Sequence, residues 1–280
     1  MFRQLLKIFP GLFITTTVIL TLSCRRVPDP PSPDDTGLFS ACVIPGTAAT
    51  IDVITFNVEG FPKAGYTSVT ALSSLLKAME PDIVALQEVA SKADFDRMIN
   101  LMPGWTGVFY PLNNDEWNLA YMVKDSEVTL VAGSERILFE NDFRAFPRPP
   151  FEIRVRHKTS GREILLINLH LKCCGGTDNE NRRREASQQL KEYLDEQRSS
   201  DAVIMLGDYN DEISSASEEE NPFLNFITDA GSYSFADMAI ARGSQLWWSY
   251  PQWPSHIDHI LVTDERSEEH TSELQSRQSI

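Results

Sequence analysis

Basic side chains are scarce in this sequence: 25 lysines and arginines stand against 40 aspartates and glutamates, and the formal net charge is −15. This balance argues against a protein that grips nucleic acid with a broad basic face, although an acidic enzyme can still bind a phosphodiester through a bound cation and a few arginines. Internal repeats are absent as well. With 42% apolar residues among 280, low-complexity disorder is excluded for most of the chain, and a real core can form.

A long hydrophobic segment is also missing, because the apolar run Leu12–Leu22 is too short for a comfortable membrane-spanning helix. Two cations precede it and Ser23-Cys24 follows it, which is the order of a signal peptide with a lipobox. We therefore predict a signal peptide at residues 1–24, acylation of Cys24, and a Pro-rich tether and lead-in at 25–48. The protein is then expected in the bacterial cell envelope, lipid-anchored. Ordinary secretion and an uncleaved anchor stay open, since Thr21 is an imperfect start to the box.

Cysteines are few, with four in the chain. If Cys24 carries lipid, an odd number remains in an oxidising compartment: Cys42, Cys173 and Cys174. Adjacent cysteines bridge each other only with strain, so a bond from Cys42 to either of the pair and a bond within the pair both stay open. A zinc site is the weaker interpretation, because no Cys or His pair stands at the usual loop spacing.

Strand and helix patterns alternate along residues 49–265, as layered α/β folds require, and no second domain boundary interrupts them. β-branched and apolar runs predict strands, and apolar residues at helical spacing predict helices. The predicted strands are Ile51–Phe56, Ile83–Leu86, Thr106–Tyr110, Leu119–Val123, Val128–Leu138, Phe151–His157, Glu163–Leu169, Val203–Leu206 and Asp258–Val262. The predicted helices are Thr67–Glu80, Lys92–Leu101, Asn179–Gln197 and Phe223–Ile227.

Polar side chains follow several of these strands at the point where each strand ends. In the stretch Val203–Asp211, Gly207 frees a turn, and Asp208 and Asn210 project to the same side. Any one such residue is by default a turn residue, but strand ends from one sheet gather at one edge, where α/β ligand sites usually lie. We therefore predict a site formed by Asn57, Glu88, His170, Asp208, Asn210 and Asp258. Three arginines, Arg182–Arg184, are predicted in the first turn of the helix Asn179–Gln197. There they oppose the helix macrodipole, so we expect an anionic group nearby.

In sequence order, five blocks resemble the motifs of the endonuclease/exonuclease/phosphatase superfamily. They are Thr55-Phe56-Asn57-Val58, Gln87-Glu88, Asn168-Leu169-His170-Leu171, Gly207-Asp208-Tyr209-Asn210 and Ile257-Asp258-His259-Ile260. The resemblance implies a four-layer sandwich, in which two packed mixed β-sheets are flanked by helices. It also implies hydrolysis of phosphate esters that depends on Mg²⁺ or Mn²⁺, most often as a phosphodiesterase or nuclease.

The residue types fit this chemistry. Glu88 is a hard oxygen ligand for Mg²⁺, which takes only one or two carboxylates and keeps several waters, and Asn57 can offer its carbonyl at a second position. Asp208 is expected to align the attacking water, while Asn210 and His170 donate hydrogen bonds to phosphate oxygens.

Two further roles rest on the resemblance. It implies that Asp258 orients a catalytic histidine and that Arg148, in Phe146-Pro147-Arg148-Pro149-Pro150, meets the substrate phosphate. A guanidinium suits that task because its planar fork matches two phosphate oxygens.

The C-terminal residues 266–280 have no apolar period and look like the in-frame translation of a sequencing adapter, the alternative being a natural polar tail. The resembled family has a further Asp-His pair and a closing strand after the Ile-Asp-His-Ile strand. The pair is not found here, and His259 would alternate away from the side that Asp258 faces. We therefore predict that the chain as written does not turn over substrate.

A rival hypothesis is a non-catalytic surface lipoprotein that uses the same fold to bind a ligand. Within the enzyme class, the substrate stays open among DNA, RNA, phospholipid head groups and sugar phosphates. The segment Leu246–Pro254 carries three tryptophans and a tyrosine. It could stack bases, insert at a membrane surface or pack, and packing is the interpretation we favour.

Overall fold

The computed structural model describes residues 46–112, 117–217, 220–250 and 253–264. The strands in these ranges are β1 (Val53–Phe61), β2 (Ile83–Val89), β3 (Trp105–Tyr110), β4 (Asn118–Lys124), β5 (Val128–Leu130), β6 (Arg136–Ile137), β7 (Phe151–His157), β8 (Glu163–His170), β9 (Val203–Asp208), β10 (Tyr233–Phe235) and β11 (Asp258–Thr263). The helices are α1 (Tyr66–Met79), α2 (Lys92–Asn100), α3 (Thr177–Gln197), α4 (Leu224–Thr228) and α5 (Met238–Ala241), with a 3-10 helix at Gln245–Trp247.

The strands form two mixed sheets. The first has the order β1-β2-β4-β3, and the second has the order β10-β11-β9-β8-β7-β5, with β6 paired to β7. Parallel pairing joins β1 to β2 and β8 to β9, and the other pairs are antiparallel. Parallel neighbours need a crossover, and α1 and α3 supply it in the two sheets.

Three apolar clusters lie between four layers. One cluster packs α1 and α2 against the first sheet, and a second packs α3, α4 and α5 against the second sheet. The third lies between the sheets, where Tyr121 and Leu119 of β4 meet Phe151 of β7 and Leu206 of β9. Strands β2 and β9 are buried on both faces, which explains their continuous apolar runs. The predicted four-layer arrangement of two mixed sheets flanked by helices is confirmed.

The first two helices end and begin where the sequence indicates. Helix α1 buries Val69, Leu72 and Leu76 on one face, and Glu80 closes it in a left-handed conformation with its N–H donating to the Leu76 carbonyl at 2.9 Å. Helix α2 begins after Ser91, whose hydroxyl accepts a hydrogen bond from the Asp94 amide at 3.2 Å. Among the described residues, no helix is long and apolar enough to cross a membrane.

Three sequence-based predictions are wrong in detail. The single strand expected at Val128–Leu138 is broken into β5 and β6, with Gly133 between them at φ 73°. Strand β10 and helix α5 were not anticipated, because runs of three and four residues carry too little periodicity. Arg182–Arg184 lie beyond the first turn of α3, because the helix starts at Thr177.

The aromatic segment before β11 does not pack as expected. Leu246, Trp247 and Trp253 are 78%, 63% and 73% exposed. Only Trp248 meets the prediction in part, since its indole N–H donates to the Ile240 carbonyl at 3.2 Å. The apolar composition of this segment therefore did not predict its exposure, because exposure depends on how the fold positions the loop.

Candidate active site

The C-terminal ends of β2, β8 and β9 meet at one edge of the two sheets, beside Asn57 of β1. The strand predicted to end at Phe56 continues to Phe61, so Asn57 lies within β1, where the register with β2 becomes irregular. Gly207 allows the closest approach, because a Cβ at this position would lie 2.1 Å from the Leu169 carbonyl oxygen and its φ is 147°. Strands β8 and β9 therefore run close enough for His170 to pair in register with Asp208. Antiparallel β11 starts at the same edge, with Asp258 in register with Asp208.

Asn57 joins the two carboxylates of the site. Its side-chain Nδ2 donates to Glu88 Oε1 and to Asp208 Oδ2, both at 2.9 Å, and its Oδ1 accepts from the Glu59 amide at 2.9 Å. Glu88 has a left-handed φ of 60°, at an irregularity in the register of β2. A bulge of this kind turns a side chain away from the regular alternation and stores backbone strain, both of which are common at functional sites.

Both carboxylates are hard to ionise without a cation. Burial raises the pKa of Glu88 to about 7, against the hydrogen bond from Asn57. Burial and the charge of Asp258 raise the pKa of Asp208 to about 8. Among the described residues neither carboxylate forms an ion pair with lysine or arginine, and Glu88 Oε2 is buried with no hydrogen-bond partner. Both observations are typical of carboxylates that bind a cation.

His170 lies beside the two carboxylates, Glu88 and Asp208. Its Nε2 lies 3.7 Å from both Glu88 Oε1 and Asp208 Oδ2. Burial and the nearby charge of Arg148 place the pKa of His170 well below its ordinary value, so the ring is neutral and these contacts are not ion pairs. Its Nδ1 is buried without a partner among the described residues.

Arg148 and Asn210 share one acceptor beside the carboxylates. Arg148 Nη1 and Asn210 Nδ2 both donate to the Leu171 carbonyl at 3.2 Å. Asn210 has a left-handed φ of 56°, and its amide donates to Asp208 Oδ1 at 2.9 Å. The guanidinium carbon of Arg148 lies 5.6 Å from the ring centre of Trp117, which is 38% exposed. A cation and two hydrogen-bond donors therefore line the side of the site that reaches solvent.

A buried polar network behind the site connects the two sheets. Gln87 Nε2 donates to Asn168 Oδ1 at 2.7 Å and to Thr55 Oγ1 at 3.1 Å. Asn168 Nδ2 in turn donates to the carbonyls of Leu86 and Ala120. Gln87 and Asn168 precede Glu88 and His170 by one and two positions, so the network holds both strand ends in place. Their place in the motif blocks was the only sequence signal for this role.

A second group of buried titratable residues lies on the far side of β11. Asp237 Oδ2 accepts hydrogen bonds from His256 Nε2 at 2.9 Å and His259 Nδ1 at 2.5 Å, and Asp237 Oδ1 accepts from the Ile260 amide. His259 Nε2 lies 2.9 Å from the Asp211 carbonyl oxygen. Both ring nitrogens of His259 face acceptors, so the ring is an imidazolium. Although burial lowers it, Asp237 raises the pKa of His259 above its ordinary value.

Sequence reasoning correctly placed His259 away from Asp258 but missed its partners. Asp237 and His256 belong to no motif and are separated by a loop, so only the fold brings them together.

The anionic partner expected for the arginines of α3 is present. Arg183 is buried, and its Nε donates to Asp211 Oδ2 at 2.8 Å. Its Nη1 donates to the carbonyls of Lys172 and Cys174 at 2.8 and 3.0 Å. Arg182 instead donates to backbone carbonyls. Arg183 thus ties the loop after His170 to the turn after Asp208.

The structure brings together all the predicted site residues that it describes. Asn57, Glu88, His170 and Asp208 form the centre, and the remaining three border it: Asn210, Asp258 and Arg148. Their assigned roles stay predictions. Cys24 and Cys42 lie outside the described residues.

The donor set fits a hard divalent cation. Glu88, His170 and Asp208 offer ligand atoms that lie within 4.8 Å of one another, and two of the three are carboxylates. Carboxylate and amide oxygens are the ligands preferred by Mg²⁺ and Mn²⁺. The edge therefore has the composition of a metal-dependent hydrolase site that accepts an anionic substrate.

A profile of the Endonuclease/Exonuclease/phosphatase family matches residues 54–277. Because the match covers most of the chain, the protein belongs to this family, whose members are metal-dependent phosphoesterases and nucleases. The resemblance inferred from the strand-end motifs is confirmed. The match also includes residues 266–277, which we interpreted as an adapter-like tail and which lie outside the described residues. No curated protein sequence matches the chain.

Solved structures share the fold at low sequence identity. The human Nocturnin catalytic domain with a bound sulfate anion is 20% identical, with TM-score 0.58 over 76% of this chain and 82% of that one. TDP2 from D. rerio, complexed with a single-strand DNA product, is 16% identical, with TM-score 0.56 over 77% and 84%. The mannosyl-6-phosphatase Bt3783 of Bacteroides thetaiotaomicron is 14% identical, with TM-score 0.56 over 76% and 85%. At these identities the likeness establishes the fold alone.

Proposed function

We propose that this protein is a phosphodiesterase or nuclease that uses Mg²⁺ or Mn²⁺ to hydrolyse a phosphodiester, with nucleic acid or a phospholipid head group as the substrate class. One observation carries the proposal: two buried carboxylates, Glu88 and Asp208, converge on the Asn57 amide without any lysine or arginine paired to them in the described chain. Such an arrangement costs free energy unless a cation binds there.

Glu88 would hold the cation. For the Asn57 carbonyl to act as a second ligand, the side-chain amide would have to turn, because Nδ2 faces both carboxylates and Oδ1 accepts from the Glu59 amide. When bound, the cation supplies positive charge to a phosphate oxygen. Asp208 would orient a water molecule, and its hydrogen bonds from the Asn210 amide to Oδ1 and from Asn57 to Oδ2 support this role because they fix the carboxylate. A buried acceptor of this kind selects one orientation of the attacking water.

The phosphate would be bound by donors from the Leu171 side of the site. Arg148 and Asn210 each have a side-chain donor beside the Leu171 carbonyl, and neutral His170 offers a ring N–H without adding charge. Donors of this kind would stabilise the negative charge that develops on phosphate oxygens. Asp258 would orient a histidine that acts as general base.

The test compares matched variants of the protein expressed from its natural gene. Mg²⁺ binding is measured by calorimetry, and turnover is measured on plasmid DNA, RNA, sphingomyelin and a chromogenic phosphodiester. We expect turnover to need Mg²⁺ or Mn²⁺, and Glu88→Gln to weaken metal binding about a hundredfold, because a charged ligand is lost. The exposed Glu196→Gln is the matched control. Full turnover in excess EDTA would overturn the proposal, and metal binding without turnover of any substrate would favour a non-catalytic lipoprotein.

We also propose that Cys24 carries lipid and tethers the enzyme to a bacterial membrane through residues 25–48. The support is the apolar run before Ser23-Cys24 in the sequence. Cys24→Ala should shift the protein from the membrane fraction to the soluble fraction and change its mass by the lost lipid. Unchanged fractionation would refute lipidation.

A further inference from the structure

Cys173 and Cys174 lie on the loop that joins β8 to α3, three and four positions after His170. Their Sγ atoms are 2.8 Å apart, with the Cys174 thiol donating to Cys173, and Lys172 Nζ approaches Cys173 Sγ at 3.7 Å. Cys174 is exposed, and its φ of 78° is left-handed, which is rare for a residue with a side chain. The two thiols are therefore held together in a strained backbone at a position that solvent reaches.

The carbonyls of the same loop hold the side chains of the site. Leu171 O accepts from Arg148 and Asn210, while Lys172 O and Cys174 O accept from Arg183. A rotation of the Cys173–Cys174 peptide changes the direction of the Cys174 carbonyl. It would therefore weaken the hold of Arg183 on the loop.

We propose that Cys173 and Cys174 are a redox-modification site, which small-molecule disulfides convert reversibly to a vicinal disulfide, and that its oxidation loosens the Asp208–Asp211 turn. Cys173 is taken as the attacking group, because its Sγ accepts the hydrogen bond from the Cys174 S–H and lies 3.7 Å from Lys172 Nζ. The Cys173 thiolate attacks the small disulfide and releases one small thiol. The Cys174 thiolate then attacks Cys173 Sγ and releases the second small thiol. The two protons of the cysteines end on the two leaving thiols, and the small disulfide is the oxidant.

Ring closure has to move the backbone. Neighbouring Cα atoms are about 3.8 Å apart across a trans peptide, whereas disulfides usually join Cα atoms at about 4.4–6.8 Å. No rotation about the peptide bond can lengthen this separation, so the eight-membered ring closes only with a non-planar peptide and a strained disulfide, and the Cys174 carbonyl changes direction. Arg183 then loses the Cys174 carbonyl, which is one of its three acceptors. The guanidinium is held less firmly, and its hydrogen bond to Asp211 is weakened as a result. The chain thus connects the redox state of two cysteines to the turn that carries Asn210.

The first experiment identifies the bond without reference to function. Trypsin cleaves after Lys172 and Arg182, so residues 173–182 form one peptide with both cysteines and no other. After treatment of the full chain with oxidised glutathione, we expect this peptide to lose two hydrogens and resist alkylation, and dithiothreitol should reverse the change. The result should be the same in Cys42→Ser. A cross-link between this peptide and the Cys42 peptide, or a mixed glutathione adduct as the end product, would overturn the proposal.

The second experiment measures the coupling. Hydrogen exchange of residues 209–212 should become about tenfold faster on oxidation, which is the effect of losing one hydrogen bond to a charged group. Cys173→Ser/Cys174→Ser should show one exchange rate under both conditions. Equal rates in oxidised and reduced wild-type protein would refute the coupling.

One consequence rests on the proposed function: inorganic phosphate, measured with Mg²⁺ present, should bind more weakly to the oxidised protein. If the peptide and exchange results hold while phosphate binds neither form, the proposed function fails and the redox site stands.

Discussion

Two buried groups of aspartate and histidine lie on opposite sides of β11, and they differ in how completely their atoms are bonded. In the group of Asp237, His256 and His259, both Asp237 oxygens and all four ring nitrogens have partners within 3.3 Å. In the site around Glu88 and His170, Oε2 of the former and Nδ1 of the latter have none among the described residues. Both groups have the residue types of a metal site.

The difference separates a structural cluster from a functional one. A buried polar atom without a partner costs free energy, and such a cost persists where a ligand compensates for it. The first group has already used its ligand atoms to fix α5, β11 and the Asp211 carbonyl. In the second group, Glu88 Oε2 and His170 Nδ1 have no partner among the described residues and are still able to bind a ligand. The predictions below test this distinction.

The largest effect is expected on stability, from Asp237→Asn. The substitution leaves the His259 imidazolium buried without its carboxylate, which should reduce the free energy of unfolding by about 3–5 kcal/mol. Chemical denaturation measures it. The control is Asp96→Asn, which removes the exposed Lys92–Asp96 pair and should cost less than about 1 kcal/mol. A small loss for Asp237→Asn would mean that this group does not hold the fold.

The same variant has a definite pH dependence. The pKa of Asp237 is lowered, so its contribution is present above the ordinary value of 3.8 and is lost as pH falls below it. The pKa of His259 is raised, so its contribution is full below the ordinary value of 6.5 and is lost as pH rises through the folded-state pKa. The cost of Asp237→Asn should therefore be greatest between these two values.

The next effect is expected on catalysis. In the protein expressed from its natural gene, His170→Ala and Asn210→Ala should each lower kcat by about a hundredfold, which is the effect of removing one preorganised donor. Each variant should still give a cooperative thermal transition. Asn181→Ala, an exposed asparagine of α3, is the control and should leave kcat unchanged. A normal rate in either site variant would remove that residue from the proposed chemistry.

The smallest effect is the pH dependence of metal affinity. Since the pKa of Glu88 is raised to about 7 and that of Asp208 to about 8, these carboxylates are protonated in the metal-free protein at lower pH. Metal binding must displace those protons, so Mg²⁺ affinity should rise with pH until about pH 8 and fall by about tenfold per pH unit for each proton displaced below that. Calorimetry in buffers with different ionisation heats counts the protons, and Glu88→Gln should release about one fewer. An affinity that does not change between pH 6 and 8 would contradict these pKa shifts.

Short-range pattern was sufficient for most strands and for the central site residues. Continuous apolar runs in β2 and β9 predicted strands buried on both faces, and the polar residue at the end of each run is a neighbour in the chain. Glu88 and Asp208 could therefore be identified from the same short stretch that predicts each strand. The break between β5 and β6 was not predicted, because the left-handed Gly133 gives only a weak signal in the sequence.

The sequence by itself therefore determined that Glu88, His170 and Asp208 lie at strand ends, and hence much of the composition of the site. Only the tertiary structure decided which of them share a partner: Asn57 and Asp208 lie 151 positions apart, and the packing of one sheet on the other brings them to 2.9 Å. The tertiary structure likewise brings Asp237, His256 and His259 together and leaves Trp247 and Trp253 exposed to solvent. It also places the Cys174 carbonyl beside Arg183. Strand and helix patterns depend on neighbours along the chain, whereas burial and ionisation depend on groups that the chain brings together from far apart.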